Sequence, residues 1–142
     1  MIRYALDTSV MLRWFTQIHD ADTERALRLR EELQAEVIEL VALDQSICEL
    51  AHVLKEKAGL GQEQIIRALD SLEYMHLSIV PFHPDILRKA TQIAFEHDIS
   101  IYAAGFAALG AHLRCQAVTC DPVLYRKIST LPWTLELSSL GF

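Results

Sequence analysis

Positions 1–6 are apolar apart from Arg3, and the run stops at Asp7-Thr8-Ser9. A short apolar run closed by small polar residues predicts a buried strand that feeds a helix, and Val10, Leu12, Trp14 and Phe15 carry that helix's apolar pattern. His19 to Thr23 is polar and loop-like, and Glu24 to Glu36 then places Ala26, Leu29 and Leu33 on one side among charges, which predicts an amphipathic helix. Val37 to Leu43 is apolar and β-branched enough for a second strand, with Asp44 as cap of a helix from Gln45 to about Ala58.

Gly59-Leu60-Gly61 ends that helix, and Gln62 to about Tyr74 starts the next with Ile65, Leu69 and Leu72 on one face. Leu77 to Val80 reads as a short strand halted by Pro81, and Pro84-Asp85 opens a helix with Ile86, Leu87, Ala90, Ile93 and Ala94 inward. An Ala-rich helix over Ile101 to about Leu113 follows, capped by Ser100. Gln116 to Cys120 is a strand, Asp121-Pro122 a turn, and Thr134 to Leu137 a final strand, antiparallel or absent from the sheet.

Alternating strands and crossover-length helices predict an α/β fold: a mostly parallel central sheet with helices on both faces, a three-layer α/β/α sandwich. The 142 residues suit a single domain without linkers or repeats. With 51% hydrophobic and 23% charged residues, disorder, collagen-like repeats and membrane spans have no compositional support. Nineteen acidic against thirteen basic residues give a formal charge of −6, which argues against broad binding to phosphate backbones but not against a nuclease with an acidic centre. Cys48, Cys115 and Cys120 form no CxxC pair and no even set, and no signal peptide opens the chain, so a cytoplasmic protein is expected.

Ligands of parallel sheets bind beyond the carboxyl ends of the strands, near the point where strand order reverses. Asp7 follows the first strand and Asp121 the Gln116–Cys120 strand, while Glu49 lies about one turn into the helix after the second strand. Three carboxylates in one cleft repel each other unless a cation joins them, and an all-oxygen set suits Mg2+ or Mn2+ in phosphodiester hydrolysis.

The strings YALDTSV, CELAHVL and SIYAAGFAALGAHLRCQAVTCD, in this order and spacing, resemble the PIN domain, especially the short VapC-like toxins of toxin–antitoxin pairs. The resemblance covers essentially the whole chain. It implies an α/β/α sandwich with an acidic metal pocket, endoribonuclease activity, homodimerisation and inhibition by a cognate antitoxin. The family's first, second and final acids fall on Asp7, Glu49 and Asp121. Thr8 and Ser9 match the small polar residues beside the first acid, and Thr119 the polar position before the last. The third acid of the family's tyrosine-aspartate-alanine stretch corresponds to Ala103, between Tyr102 and Ala104. A methyl group cannot replace an anionic oxygen donor; Asp98, five residues earlier, is the candidate substitute. The alanine is compatible with natural degeneration or with an inactivating replacement.

Plainer roles compete for each residue. Asp7 and Asp121 suit helix caps or turns. Glu49 with His52 makes one ExxH spacing without a second copy, and the other histidines lack zinc-ligand spacing. Arg13 and Lys55 are the candidate RNA contacts among basic residues that otherwise solvate helix faces. Tyr102 and Trp14 are expected in the core rather than against bases. Two rival functions stand beside the nuclease: a catalytically silent PIN fold that binds RNA or protein, and a small phosphoryl-transfer domain. The latter lacks both the second aspartate of aspartyl phosphatases and a Gly-rich phosphate loop.

Overall fold

The computed structural model describes residues 1–141. Five strands, β1 (Ile2–Leu6), β2 (Ile38–Leu43), β3 (Ser78–Val80), β4 (Gln116–Thr119) and β5 (Thr134–Glu136), form one sheet in the order β3-β2-β1-β4-β5. Every pairing is parallel. That corrects the expectation for the last strand: β5 runs parallel to β4, with Ala117 opposite Thr134.

Seven helices join the strands: α1 (Thr8–Leu12), α2 (Ala21–Gln34), α3 (Asp44–Glu56), α4 (Gln62–Tyr74), α5 (Pro84–His97), α6 (Ile101–Leu113) and α7 (Pro122–Ile128). A single 3-10 turn, Leu137–Ser139, follows β5. Alternate strand residues serve opposite layers, as the period-two pleat requires. Leu6, Leu40, Ala42 and Val118 join the core of α1 to α4, whereas Ala5, Val41, Leu43 and Ala117 join that of α5 to α7. The sandwich therefore has three layers.

Several boundaries differ from the sequence expectation for local reasons. Asp20 accepts the Thr23 amide at 2.8 Å and starts α2 inside the segment expected to be a loop. Asp44 is the first residue of α3 rather than its cap, and its carboxylate accepts the amides of Gln45 and Phe82. Leu87 is 42% exposed, unlike Ile86, Ala90 and Ile93 around it. The Asp121-Pro122 turn is the start of α7, with Pro at its first position.

The connections fix where a ligand can bind. From β1 the chain proceeds outward to β2 and β3, then returns through α5 and α6 to lay β4 against the other side of β1. Strand order reverses between β1 and β4, so their carboxyl ends flank the crevice that parallel sheets use for ligands.

Candidate active site

Asp7 leaves β1 at that crevice. Its amide donates to the Val118 carbonyl at 3.0 Å, carrying the β1–β4 ladder one residue beyond the strand. It occupies the N-cap position of α1 without a side-chain capping bond. Instead Oδ2 accepts the hydroxyls of Ser9 at 2.6 Å and Thr119 at 2.8 Å. Each hydroxyl in turn accepts a backbone amide, Ser9 from Cys120 and Thr119 from Asp121, both at 3.1 Å. The network closes the β1 and β4 ends onto one carboxylate.

Burial raises the Asp7 pKa; the Ser9 and Thr119 hydroxyls and the Thr8 backbone oppose the shift, and the Asp121 charge adds to it. The net direction is upward because neutral donors do not replace the hydration that a buried anion loses.

Asp121 begins α7, and its Oδ1 accepts the amides of Val123 at 3.0 Å and Leu124 at 3.2 Å. It is thus a helix cap and a neighbour of Asp7 at once. Glu49 sits on α3 with Oε2 accepting the Gln45 side-chain amide at 3.2 Å. Desolvation raises the Glu49 pKa, the Gln45 bond opposes this, and the Asp7 charge adds to the rise, with Lys57 and His52 pulling it down. Asp7 thus lies within electrostatic reach of both Asp121 and Glu49, beside a shared space.

That space is a cavity of about 520 Å³ walled by Asp7, Thr8, Ser9, Glu49 and Asp121 together with Ala103. Ala103 lies in the first turn of α6, where its amide donates to the Ser100 hydroxyl at 3.0 Å. It walls the cavity at the position that the resemblance assigns to an acid.

Other candidates lie elsewhere. Arg13 pairs with Asp20 and donates to the Thr23 hydroxyl. Lys55 pairs with Glu56 at 2.6 Å. Asp98 ends α5 in a left-handed conformation, and its carbonyl accepts from Lys127 at 3.0 Å. None of the three walls the cavity. Trp14 is buried and donates to the Ala26 carbonyl at 2.7 Å, as expected of a core residue.

Tyr102, expected in the core, is 68% exposed and stands at the cavity wall. Gln45 and Lys57 also wall it, and helical spacing identifies both. Gln45 precedes Glu49 by one i,i+4 step. Lys57 is eight residues beyond Glu49, about 80° around the helix, whereas Lys55 at six residues points about 120° away on the other side.

The donor set is oxygen-only, carboxylates and hydroxyls, with anionic charge poorly compensated by its neighbours. This chemistry fits a hard divalent cation that retains much of its water shell. Among the described residues no three His, Cys, Asp or Glu side chains stand close enough to enclose a metal by themselves.

A family model described as the PIN domain matches residues 4–128. The chain belongs to the PIN-domain family. No curated protein matches this PIN domain in sequence. Among solved structures it is similar to a toxin–antitoxin complex from Klebsiella pneumoniae, with 14% identity, 96% of this chain and 98% of the other covered, and a TM-score of 0.70. The sarcin–ricin loop cleaving toxin VapC20 of Mycobacterium tuberculosis gives 17% identity, coverage of 87% and 93%, and a TM-score of 0.68. PAE2754 of Pyrobaculum aerophilum gives 20% identity, coverage of 97% and 91%, and a TM-score of 0.65. The PIN domain thus shares the fold of these three proteins. Among its described residues no helix is long and apolar enough to cross a membrane.

Proposed function

We propose that this PIN domain is a divalent-metal-dependent endoribonuclease, the toxin of a toxin–antitoxin pair, weakened by Ala103. The observation that carries the reading is the meeting of Asp7, Glu49 and Asp121 at one cavity beside the β1–β4 crossover. These residues are the proposed ligands of Mg2+ or Mn2+. When bound, such an ion supplies Lewis acidity and lowers the pKa of bound water.

The chain's own contribution is positioning. Ser9 and Thr119 fix the Asp7 carboxylate through Oδ2, the α7 amides fix Asp121, and Gln45 orients Glu49. Lys57 contributes positive charge beside the acids, suited to a phosphodiester. Tyr102 offers an exposed ring on which a base can stack. In the reaction, the oxygen of water bonds to phosphorus, the bond to the leaving ribose oxygen breaks, and that oxygen takes up a proton. A protein antitoxin, a homodimer and a cytoplasmic setting belong to this reading.

A second reading, an RNA- or protein-binding PIN fold without cleavage, is favoured by one observation, the methyl group of Ala103 at the cavity wall. RNA cleavage in Mg2+ or Mn2+ decides between the two. The nuclease reading expects cleavage that needs the metal and disappears in Asp7→Asn; metal-independent products, or products unchanged in Asp7→Asn, overturn it.

A further inference from the structure

A second cavity, of about 610 Å³, adjoins the acidic one and shares Leu12, Val53 and Lys57 with it as a common wall. We propose that this cavity is the subsite for the nucleobase next to the scissile phosphate. The inference rests on the nuclease reading of the acidic cavity.

Its volume falls within the range of small-ligand sites, and its lining is chemically mixed. Phe15 supplies an aromatic face and Leu60 an aliphatic one, while Thr16, Gln17 and Gln64 supply polar edges. A flat heteroaromatic ring with hydrogen-bonding edges matches that combination, which a purely aliphatic anchor would leave unsatisfied. Gln64 Oε1 accepts the Gly61 amide at 2.8 Å, so the ends of that side-chain amide are not interchangeable and its nitrogen is the donor.

Lys57 stands where the two cavities meet. A phosphodiester joining a nucleotide in the second cavity to one in the first lies beside this ammonium, which complements its charge. A base can enter only when unpaired and unstacked, which excludes continuous duplex at that nucleotide.

The test is fluorescence anisotropy of labelled oligouridylate and oligoadenylate RNAs in Mg2+, with one abasic nucleotide moved stepwise along the strand. Affinity falls by about tenfold at one position, or two adjacent ones, and little elsewhere. Ala58→Trp fills the cavity from an exposed wall: it weakens the intact RNA by about tenfold, flattens the abasic scan and leaves Mn2+ affinity unchanged. Gln17→Ala, at an exposed side chain, reduces the same positional penalty without refilling the cavity. A flat scan with metal-dependent RNA binding intact overturns the subsite and leaves the nuclease reading standing. Loss of all metal-dependent RNA binding overturns both. If Ala58→Trp and Gln17→Ala disrupt a protein complex but leave the scan unaltered, the occupant is protein and the inference falls.

Discussion

Thr119, the last residue of β4, donates its hydroxyl to Asp7 Oδ2 at 2.8 Å, across the point where strand order reverses. The bond links residues far apart in sequence, and Ser9 reaches the same oxygen from the α1 side. The carboxylate is buried and held by hydroxyls, with no ion pair among the described residues, and its burial governs its titration.

Asp7 has a folded pKa above its usual 3.8, first because it is buried. Between the unfolded and folded pKa values the native state binds more protons, so stability falls as pH rises through that window and is flat beyond it. Asp7→Asn therefore raises the melting temperature at neutral pH in chelator, and the gain vanishes on acidification toward pH 3.8. Thermal denaturation across pH checks this; a lower melting temperature for Asp7→Asn in chelator at neutral pH contradicts it. Divalent cation narrows the difference by stabilising the wild-type carboxylate alone.

Asp20 titrates in the opposite sense. Its pKa is lowered to about 2, first by the Arg13 guanidinium and then by the Thr23 amide. A depressed folded pKa contributes stability above the unfolded value, and this is lost as pH falls through the folded one. Asp20→Ala lowers the melting temperature at neutral pH, and the deficit shrinks between pH 3.8 and about 2. A deficit independent of pH would assign the effect to helix propensity instead.

Two α6 glycines separate close packing from mere propensity. A methyl group at Gly110 would lie 2.9 Å from Ala117 Cβ and 3.0 Å from the Cys115 carbonyl, atoms that cannot retreat without moving the backbone. At Gly105 the nearest atom, at 2.8 Å, is the tip of Leu43, which can turn aside. Gly110→Ala is expected to destabilise by about 1–3 kcal/mol, and Gly105→Ala by less. Equilibrium urea denaturation ranks the pair; the reverse order contradicts this packing.

Ala103→Asp acts on folding and on the site in opposite ways. The position follows the Ser100 cap, where a carboxylate is favoured by the helix N-terminus, yet the cavity already holds three acids. The variant is expected to bind Mn2+ about tenfold more tightly or better, with a larger cation-induced rise in melting temperature. Calorimetric titration checks this; unchanged affinity would place the missing ligand elsewhere.

Much of this architecture is legible in the sequence because β1 and β2 are short apolar runs, α4 and α5 carry one-sided apolar spacing, and α6 is an Ala-rich run behind a Ser cap. The placement of Asp7 and Asp121 at the carboxyl ends of β1 and β4 is legible because each closes an apolar run, Asp7 directly and Asp121 with Cys120 between it and β4. What escaped has local causes. α7 is only seven residues long and begins at an Asp-Pro pair that reads equally well as a turn. Helix ends at Glu36, Asp98 and Arg114 adopt positive φ without glycine to announce it. The exposure of Tyr102 depends on which side of a helix meets a neighbouring layer, and that is a property of packing, whereas Gln45 and Lys57 follow from helical spacing once Glu49 is placed.

The most direct measurement is metal-dependent cleavage of a panel of single-stranded and structured RNAs by the wild-type chain, Ala103→Asp and Ala103→Asp combined with Asp7→Asn. The expected result is a gain of about a hundredfold or more in Ala103→Asp, lost again in the double variant. No gain from a folded Ala103→Asp protein that binds Mn2+, or cleavage that survives in the double variant, would contradict the assignment of this cavity as the nuclease centre.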